Sequence, residues 1–106
     1  MTSSEPIVVL MTAANAEEAD LIASMLLEAR LAACVQILPS IKSVYRWKGE
    51  LVRENEVLLS AKTTREKFAE LDRAVRAIHS YETPEILALP IAAISDAYLE
   101  WLRGEM

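Results

Sequence analysis

The chain has 106 residues, of which 53% are hydrophobic, and a formal net charge of -5. This length predicts a single domain over residues 1–106, and the acidic balance without a long run of Lys or Arg argues against a nucleic-acid partner. No apolar run is long enough to span a membrane, and Met1 to Pro6 is unlike a signal peptide, so we expect a cytoplasmic location.

The first predicted elements are a buried strand and an amphipathic helix. Ile7 to Thr12 is a continuous apolar run rich in β-branched residues, which is typical of a strand buried on both faces. Asn15, with Glu18 three positions later, forms a variant of the capping box that begins a helix. Apolar residues then recur at helical spacing and predict helix one over Ala16 to Arg30.

The middle of the chain predicts a long antiparallel hairpin. Strand-forming segments at Ala33 to Leu38 and Val44 to Trp47 flank Pro39, which has no amide hydrogen for a sheet and so predicts a bend or bulge. Lys48-Gly49-Glu50 supplies a turn, because glycine tolerates positive φ freely. Val57 to Thr63 then resumes a strand and completes the hairpin.

The remaining elements are a second helix, a last strand and a terminal helix. Thr63 and Glu66 form a second capping-box pattern, and an apolar stripe at helical spacing follows until the helix ends near His79. Ile86 to Ala93 predicts the last strand, and Ser95 begins a short terminal helix.

The order βαββαβ plus a terminal helix predicts an α+β, ferredoxin-like fold. Right-handed crossovers place two helices on one face of a four-stranded antiparallel sheet that carries the long hairpin between strands two and three. Because this fold serves many unrelated functions, function has to be argued from particular residues.

The segment from His79 to Ile86 concentrates polar groups between helix two and the last strand. It carries the imidazole of His79, the phenol of Tyr81 and the carboxylates of Glu82 and Glu85. Imidazole nitrogen and carboxylate oxygen together suit divalent copper or zinc. The alternative is structural, with His79 capping helix two, Tyr81 packing against the hairpin and both carboxylates in solvent.

Cys34 is the only cysteine, which excludes an intramolecular disulfide and fits a reducing compartment. Its neighbours are apolar, and a buried thiol is usually an inert packing residue. Cys34 becomes a soft metal ligand only if the fold brings His79 or a neighbouring subunit beside it. Met11 is a similar case, because a Met within an apolar strand usually belongs to the core.

Four of the six aromatic residues, Tyr45, Trp47, Tyr98 and Trp101, fall in the hairpin and the terminal helix. Aromatic residues are enriched at protein interfaces, and stacking on single-stranded nucleic acid would need a basic groove that an acidic chain does not predict. No pairing of a nucleophile with a base is visible, so we expect no enzyme activity.

Five separated segments carry a family resemblance. They are Leu31-Ala32-Ala33-Cys34-Val35, Tyr45-Arg46-Trp47-Lys48-Gly49, Ala61-Lys62-Thr63, His79 to Ile86, and Tyr98-Leu99-Glu100-Trp101. In their order and spacing, these segments resemble the CutA family of divalent-cation tolerance proteins over essentially the whole chain.

The resemblance implies a ferredoxin-like homotrimer, similar in architecture to the PII signalling proteins, in which long hairpins pair between subunits. It also implies that copper or another divalent metal binds at an inter-subunit cleft. The metal ligand that it implies is His79, with Glu85 and Glu82 as carboxylate partners. From the residues themselves we add Cys34 as a candidate ligand and expect six residues in the cleft or the interface: Tyr45, Trp47, Lys62, Tyr81, Tyr98 and Trp101.

Three positions depart from the family pattern. Ser80 replaces a proline of the signature, which we expect to loosen the loop that orients His79. Met11 stands where some bacterial members have a cysteine, so a thiolate ligand is missing there, and Ile94 stands near a family glycine.

Our leading hypothesis is a non-enzymatic, metal-binding trimer that takes part in copper or divalent-cation homeostasis, with no nucleic-acid or membrane partner. The alternative is a PII-like regulatory module that binds a small metabolite or a partner protein at the cleft between subunits, where Lys62 and Arg46 could meet an anion.

Overall fold

The computed structural model describes residues 4–106, so the first three residues of the Met1 to Pro6 segment lie outside the described part of the chain. None of the helices within that part is both long and apolar enough to cross a membrane. The elements in chain order are β1 Pro6–Ala13, α1 Ala16–Glu28, β2 Cys34–Trp47, β3 Glu50–Thr64, a 3-10 turn Arg65–Lys67, α2 Phe68–Ile78, β4 Ile86–Pro90 and α3 Asp96–Gly104.

The strands form one sheet in the order β2-β3-β1-β4, and every neighbouring pair is antiparallel. Alternate residues of β1 and β3 point to the same face and pack against buried side chains of both α1 and α2. Both helices therefore cover one face of the sheet, which confirms the predicted ferredoxin-like fold. The buried side chains include Val9, Leu59, Ile22, Leu71 and Val75.

The hairpin of β2 and β3 contains a bulge at the predicted place. Leu38 pairs with Leu58 and Ile41 pairs with Glu56, so three steps along β2 match two steps along β3 around Pro39. The extra residue reverses the alternation of β2 beyond this point. As a result Trp47, at an odd position, faces the same side of the sheet as Leu38.

The hairpin turn consists of two residues, Lys48 and Gly49, with φ angles of 50° and 85°. Positive φ at both central positions is the geometry of a type I′ turn, which matches the twist of the strands it joins. The prediction of a turn at Lys48-Gly49-Glu50 is therefore confirmed, with Glu50 already paired to Trp47 as the first residue of β3.

Helix α1 is shorter than predicted because a Schellman motif ends it. Arg30 has a φ of 55°, and its N–H donates to the Leu27 carbonyl at 3.1 Å while the Leu31 N–H donates to the Leu26 carbonyl at 2.8 Å. This left-handed position is usually a glycine, so an arginine there carries no signal that the helix ends. At the other end, the Asn15 cap is confirmed, because Asn15 Oδ1 accepts from the Glu18 N–H at 2.8 Å.

Two other predicted boundaries are wrong. Thr63 is not a helix cap but a buried residue of β3, and its hydroxyl donates to the Leu31 carbonyl at 2.7 Å. Strand β4 ends at Pro90 rather than Ala93, since Pro90 lacks the amide hydrogen that would continue the ladder. Ser95 does cap α3, accepting from the Tyr98 N–H at 3.3 Å.

The adjacent residues Thr63 and Thr64 are both buried but differ in hydrogen bonding, since Thr64 Oγ1 has no partner among the described residues. We expect Thr64→Val to raise the free energy of unfolding by about 1 kcal/mol, because it removes a desolvated hydroxyl. Thr63→Val should lower it by about 1–2 kcal/mol, because it leaves the Leu31 carbonyl unpaired. Urea unfolding at one protein concentration measures both, and equal effects would contradict the assignment.

Candidate functional site

A cavity of about 890 Å³ lies between the hairpin and the loop that precedes β4. The strands contribute side chains that point away from α1 and α2. These side chains lie on the same face of the sheet as Leu58 and its partner Thr12, which is the face opposite the two helices. The loop contributes residues 81–85. The strand residues in the lining are Thr12, Tyr45, Trp47, Val52, Glu54 and Glu56.

The His79 imidazole is fully buried and holds the loop to β1. Its Nε2 lies 2.8 Å from the Thr12 carbonyl oxygen and must donate to it, whereas its Nδ1 accepts from the Tyr81 N–H at 3.0 Å. These two partners fix the neutral tautomer that carries hydrogen on Nε2. Both ring nitrogens are therefore engaged within the chain, and His79 does not line the cavity.

The Glu18 carboxylate connects the start of α1 to the same loop. It accepts from the Ala14 N–H at 2.9 Å, from the Ser80 N–H at 2.7 Å and from the Ser80 hydroxyl at 3.1 Å. Burial alone would raise the pKa of Glu18, but these hydrogen bonds outweigh it and the pKa lies below its ordinary value. Ser80 therefore tethers the loop with two donors, contrary to the expectation that it loosens it.

Two phenols are fixed by carboxylates along β3. The Tyr81 hydroxyl donates to Glu56 Oε2 at 2.6 Å, and the Tyr45 hydroxyl donates to Glu54. Burial raises the pKa of Tyr81 well above its ordinary value, and the adjacent Glu56 raises it further. Tyr81 therefore acts as a protonated donor, and Glu56 is only 7% exposed.

The predicted site residues divide into two groups. Glu82, Glu85, Tyr45, Trp47 and Tyr81 line the cavity. The second group lies where β2 begins. Cys34 pairs there with Lys62, and Lys62 is four residues, or about 13 Å, from Leu58 along β3. Near it are Tyr98, whose phenol interacts with the Cys34 thiol, and Trp101, whose ring centroid is 5.4 Å from that of Tyr98.

Lys62 belongs to this second group and is occupied by neutral partners. Its ammonium group donates to Gln36 Oε1 and, at 3.1 Å, to Ser60 Oγ. Neither Lys62 nor Arg46 lines the cavity. The fold therefore does not bring the two predicted anion-binding residues to the cavity within one chain.

The described part of a single chain does not offer a complete metal cage. Within residues 4–106, no three side chains of His, Cys, Asp or Glu are grouped so that they could hold an ion. His79 has no free nitrogen, and Met11 is completely buried in the core. Copper and zinc sites usually need three or four protein ligands, which is more than the described residues bring together.

Sequence reasoning missed three carboxylates that shape the site, namely Glu18, Glu54 and Glu56. The local pattern identifies Glu18 only as part of a helix cap, because its contacts with Ser80 span 62 positions of the chain. Val52, Glu54 and Glu56 occupy every second position of β3, and this spacing alone places their side chains on one face of the sheet. Only the bulge on β2 determines that this face carries Tyr45 and Trp47.

The family model for the CutA1 divalent ion tolerance protein matches residues 7–105 of this chain. The chain is 52% identical over 96 residues to the divalent-cation tolerance protein CutA of Thermus thermophilus, covering 91% of this chain and 93% of the relative. It is 44% identical over 98 residues to the chloroplastic protein CutA of Arabidopsis thaliana, covering 92% of this chain but 54% of that longer protein.

Solved structures give the same result. The divalent cation tolerance protein (Cut A1) of Thermus thermophilus superimposes with a TM-score of 0.92 at 50% identity, covering 94% of this chain and 97% of the other. The periplasmic divalent cation tolerance protein CutA of Archaeoglobus fulgidus gives 0.91 at 42% identity, covering 94% and 97%. The compartments named for these relatives therefore differ.

The Tyr81–Glu56 contact predicts a pH dependence at high pH. Because the pKa of Tyr81 is higher in the folded than in the unfolded state, its contribution to stability is complete below the unfolded value of about 10 and is lost as the pH rises above it. Melting temperatures measured between pH 8 and pH 11 should fall more steeply for the wild type than for Tyr81→Phe. Parallel curves would show that the Tyr81 pKa is not raised.

Proposed function

The chain belongs to the CutA1 divalent ion tolerance family, and from this premise we propose that it forms a homotrimer that binds a divalent cation, such as Cu²⁺, between its subunits. The family is one of tolerance proteins and is not known for enzyme activity. The single observation that supports a shared site is that four carboxylates line the cavity, while no three potential ligands among residues 4–106 are grouped closely enough to hold an ion.

Two surfaces support self-association. The sheet face opposite the helices is apolar and open, with Leu38, Leu87 and Leu89 exposed, and exposed apolar patches commonly mark interfaces. The far part of the hairpin also extends beyond the four-stranded sheet. β1 pairs with β3 only from Val57 onward, and the strand residues between positions 41 and 56 pair only with one another. Such a ribbon leaves unpaired edges that another subunit can cover.

The trimer predicts a mass in solution of three times the 11.8 kDa chain. Leu89→Lys should dissociate it, because the ammonium group would be buried in the interface. Leu21→Lys is the matched control, since Leu21 is 58% exposed on α1 against 46% for Leu89 on the open sheet face. Light scattering measures both; a monomeric wild type, or equal effects of the two variants, would contradict the proposal.

The cation would be bound by carboxylates rather than by the imidazole. Glu82 and Glu85 are exposed on the loop and face the cavity, where oxygen ligands from a neighbouring subunit can join them. His79 would serve the site by holding the loop, because both its nitrogens already have partners. Cys34 would contribute only from a neighbouring subunit that brings it beside these carboxylates.

Calorimetry with Cu²⁺ at pH 7 tests this assignment. We expect Glu82→Gln and Glu85→Gln each to weaken binding by about tenfold or more, a change of about 1.4 kcal/mol, because each removes a charged ligand. Glu100→Gln, on exposed α3, is the control and should bind as the wild type does. If both loop variants bind like this control while Cys34→Ser or His79→Ala abolishes binding, the ligand assignment is wrong.

The charge of the cavity argues against the alternative of a PII-like module that binds an anionic metabolite there. The cavity lining contains four Glu residues and no Lys or Arg, so its charge opposes a nucleotide or another anion. The cytoplasmic location remains part of our proposal, supported by the single unpaired Cys34.

A further inference from the structure

The charge of the cavity selects for cations. Its lining includes Glu54 and Glu56 on β3 and Glu82 and Glu85 on the loop, and it has no basic residue. Within residues 4–106, none of these carboxylates forms an ion pair with Lys, Arg or His. A concave surface lined by charges of one sign concentrates counter-ions, so an uncompensated group of four carboxylates attracts positive charge.

Glu56 is the strongest indication that a ligand supplies this charge. More than nine-tenths of the residue is buried, and the hydrogen bond to its carboxylate among the described residues comes from the neutral phenol of Tyr81. A buried carboxylate is costly unless a cation offsets its charge. The described part of the chain provides no such cation, although Glu56 faces an open cavity.

The walls of the cavity are aromatic and apolar, which a bare metal ion does not require. Tyr45, Trp47 and Tyr81 contribute rings, and Val52 and Pro84 contribute aliphatic surface. Both phenols already donate to carboxylates, so their ring positions are fixed before any ligand arrives. Aromatic faces attract organic ammonium groups and give methylene chains a surface to pack on.

Trp47 already takes part in such a contact. The Lys48 ammonium nitrogen lies 5.7 Å from the centroid of the Trp47 ring, although Lys48 itself is not part of the cavity lining. This distance lies within the range of a cation–π interaction. The Trp47 indole, which lines the cavity, is therefore already close to one alkylammonium group in the folded chain.

We propose that this cavity binds a linear aliphatic polyamine, with its ammonium groups on the carboxylates and its methylene segments against Trp47 and Tyr45. Residues 54 and 56 project from one face of β3 about 7 Å apart, and the loop carboxylates bound the cavity separately. Several separated charges with apolar surface between them match a chain of amines and methylenes. The volume of about 890 Å³ holds a small organic molecule.

The experiment uses spermidine as the probe and the full chain freed of metal with EDTA, so that its result does not depend on the proposed metal site. Titration calorimetry at about 0.15 M salt should show saturable binding with a Kd below about 1 mM. The uncharged diol 1,6-hexanediol should not bind. No binding of spermidine, or equal binding of the diol, would overturn the proposal.

Two tryptophans at similar exposure provide matched variants, because Trp47 is 40% exposed in the cavity and Trp101 is 44% exposed on α3. Trp47→Ala should weaken spermidine binding by about tenfold or more, whereas Trp101→Ala should leave it unchanged. Titrating Cu²⁺ into the metal-free wild type separates the two proposals, because spermidine can bind whether or not Cu²⁺ does. Equal loss in both variants would overturn this one.

A measurement on the wild type guards against variants that fail to fold. The chain has two tryptophans, so its NMR spectrum has two indole N–H signals. Spermidine should shift the Trp47 signal in a saturable manner and leave the Trp101 signal in place. Shifts of both signals that grow without saturation would show nonspecific attraction to an acidic protein and overturn the proposal.

Discussion

One extra residue in β2 determines where the hairpin presents its aromatic side chains. Without the bulge around Pro39, residues at odd positions of β2 would all share the face of Ile37, which packs against the helix-covered core. With it, Tyr45 and Trp47 join Glu54 and Glu56 on the opposite face. The composition of the cavity, with rings beside carboxylates, therefore depends on this single irregularity.

The opposite wall depends on a network that only the folded chain can assemble. His79 accepts from the Tyr81 N–H and donates to the Thr12 carbonyl, while Glu18 accepts from Ser80. Apart from Ser80, which is exposed, these residues are at least partly buried, where hydrogen bonds are strong and an unpaired group is costly. The loop is therefore fixed by donors and acceptors at its start, which leaves the carboxylates of Glu82 and Glu85 free to face the cavity.

These two features mark the limit of what sequence reasoning can reach. The helices and strands, the bulge near Pro39 and the Asn15 cap follow from local patterns, because each depends on residues close together in the chain. The order of these elements along the chain then predicts the fold. The roles of His79 and Glu18 depend on partners 67 and 62 positions away, which no local pattern reveals. A histidine in a polar loop therefore suggests a ligand, although its actual partners are backbone groups of β1 and of its own loop.

The cavity and the open sheet face are neighbours, and this couples binding to stability. Thr12 lines the cavity and pairs with Leu58. The side chains at every second position of β1 and β3 from this pair lie on the same face of the sheet, which is the open apolar face. If a cation compensates Glu56 in the folded chain and does not bind the unfolded one, it stabilises the fold in proportion to the logarithm of its concentration above Kd. If subunits also meet at this face, the same cation stabilises their association, because assembly brings further carboxylates towards one another and their repulsion opposes it. Acidic residues that would otherwise resist both folding and assembly then make each of them responsive to cations.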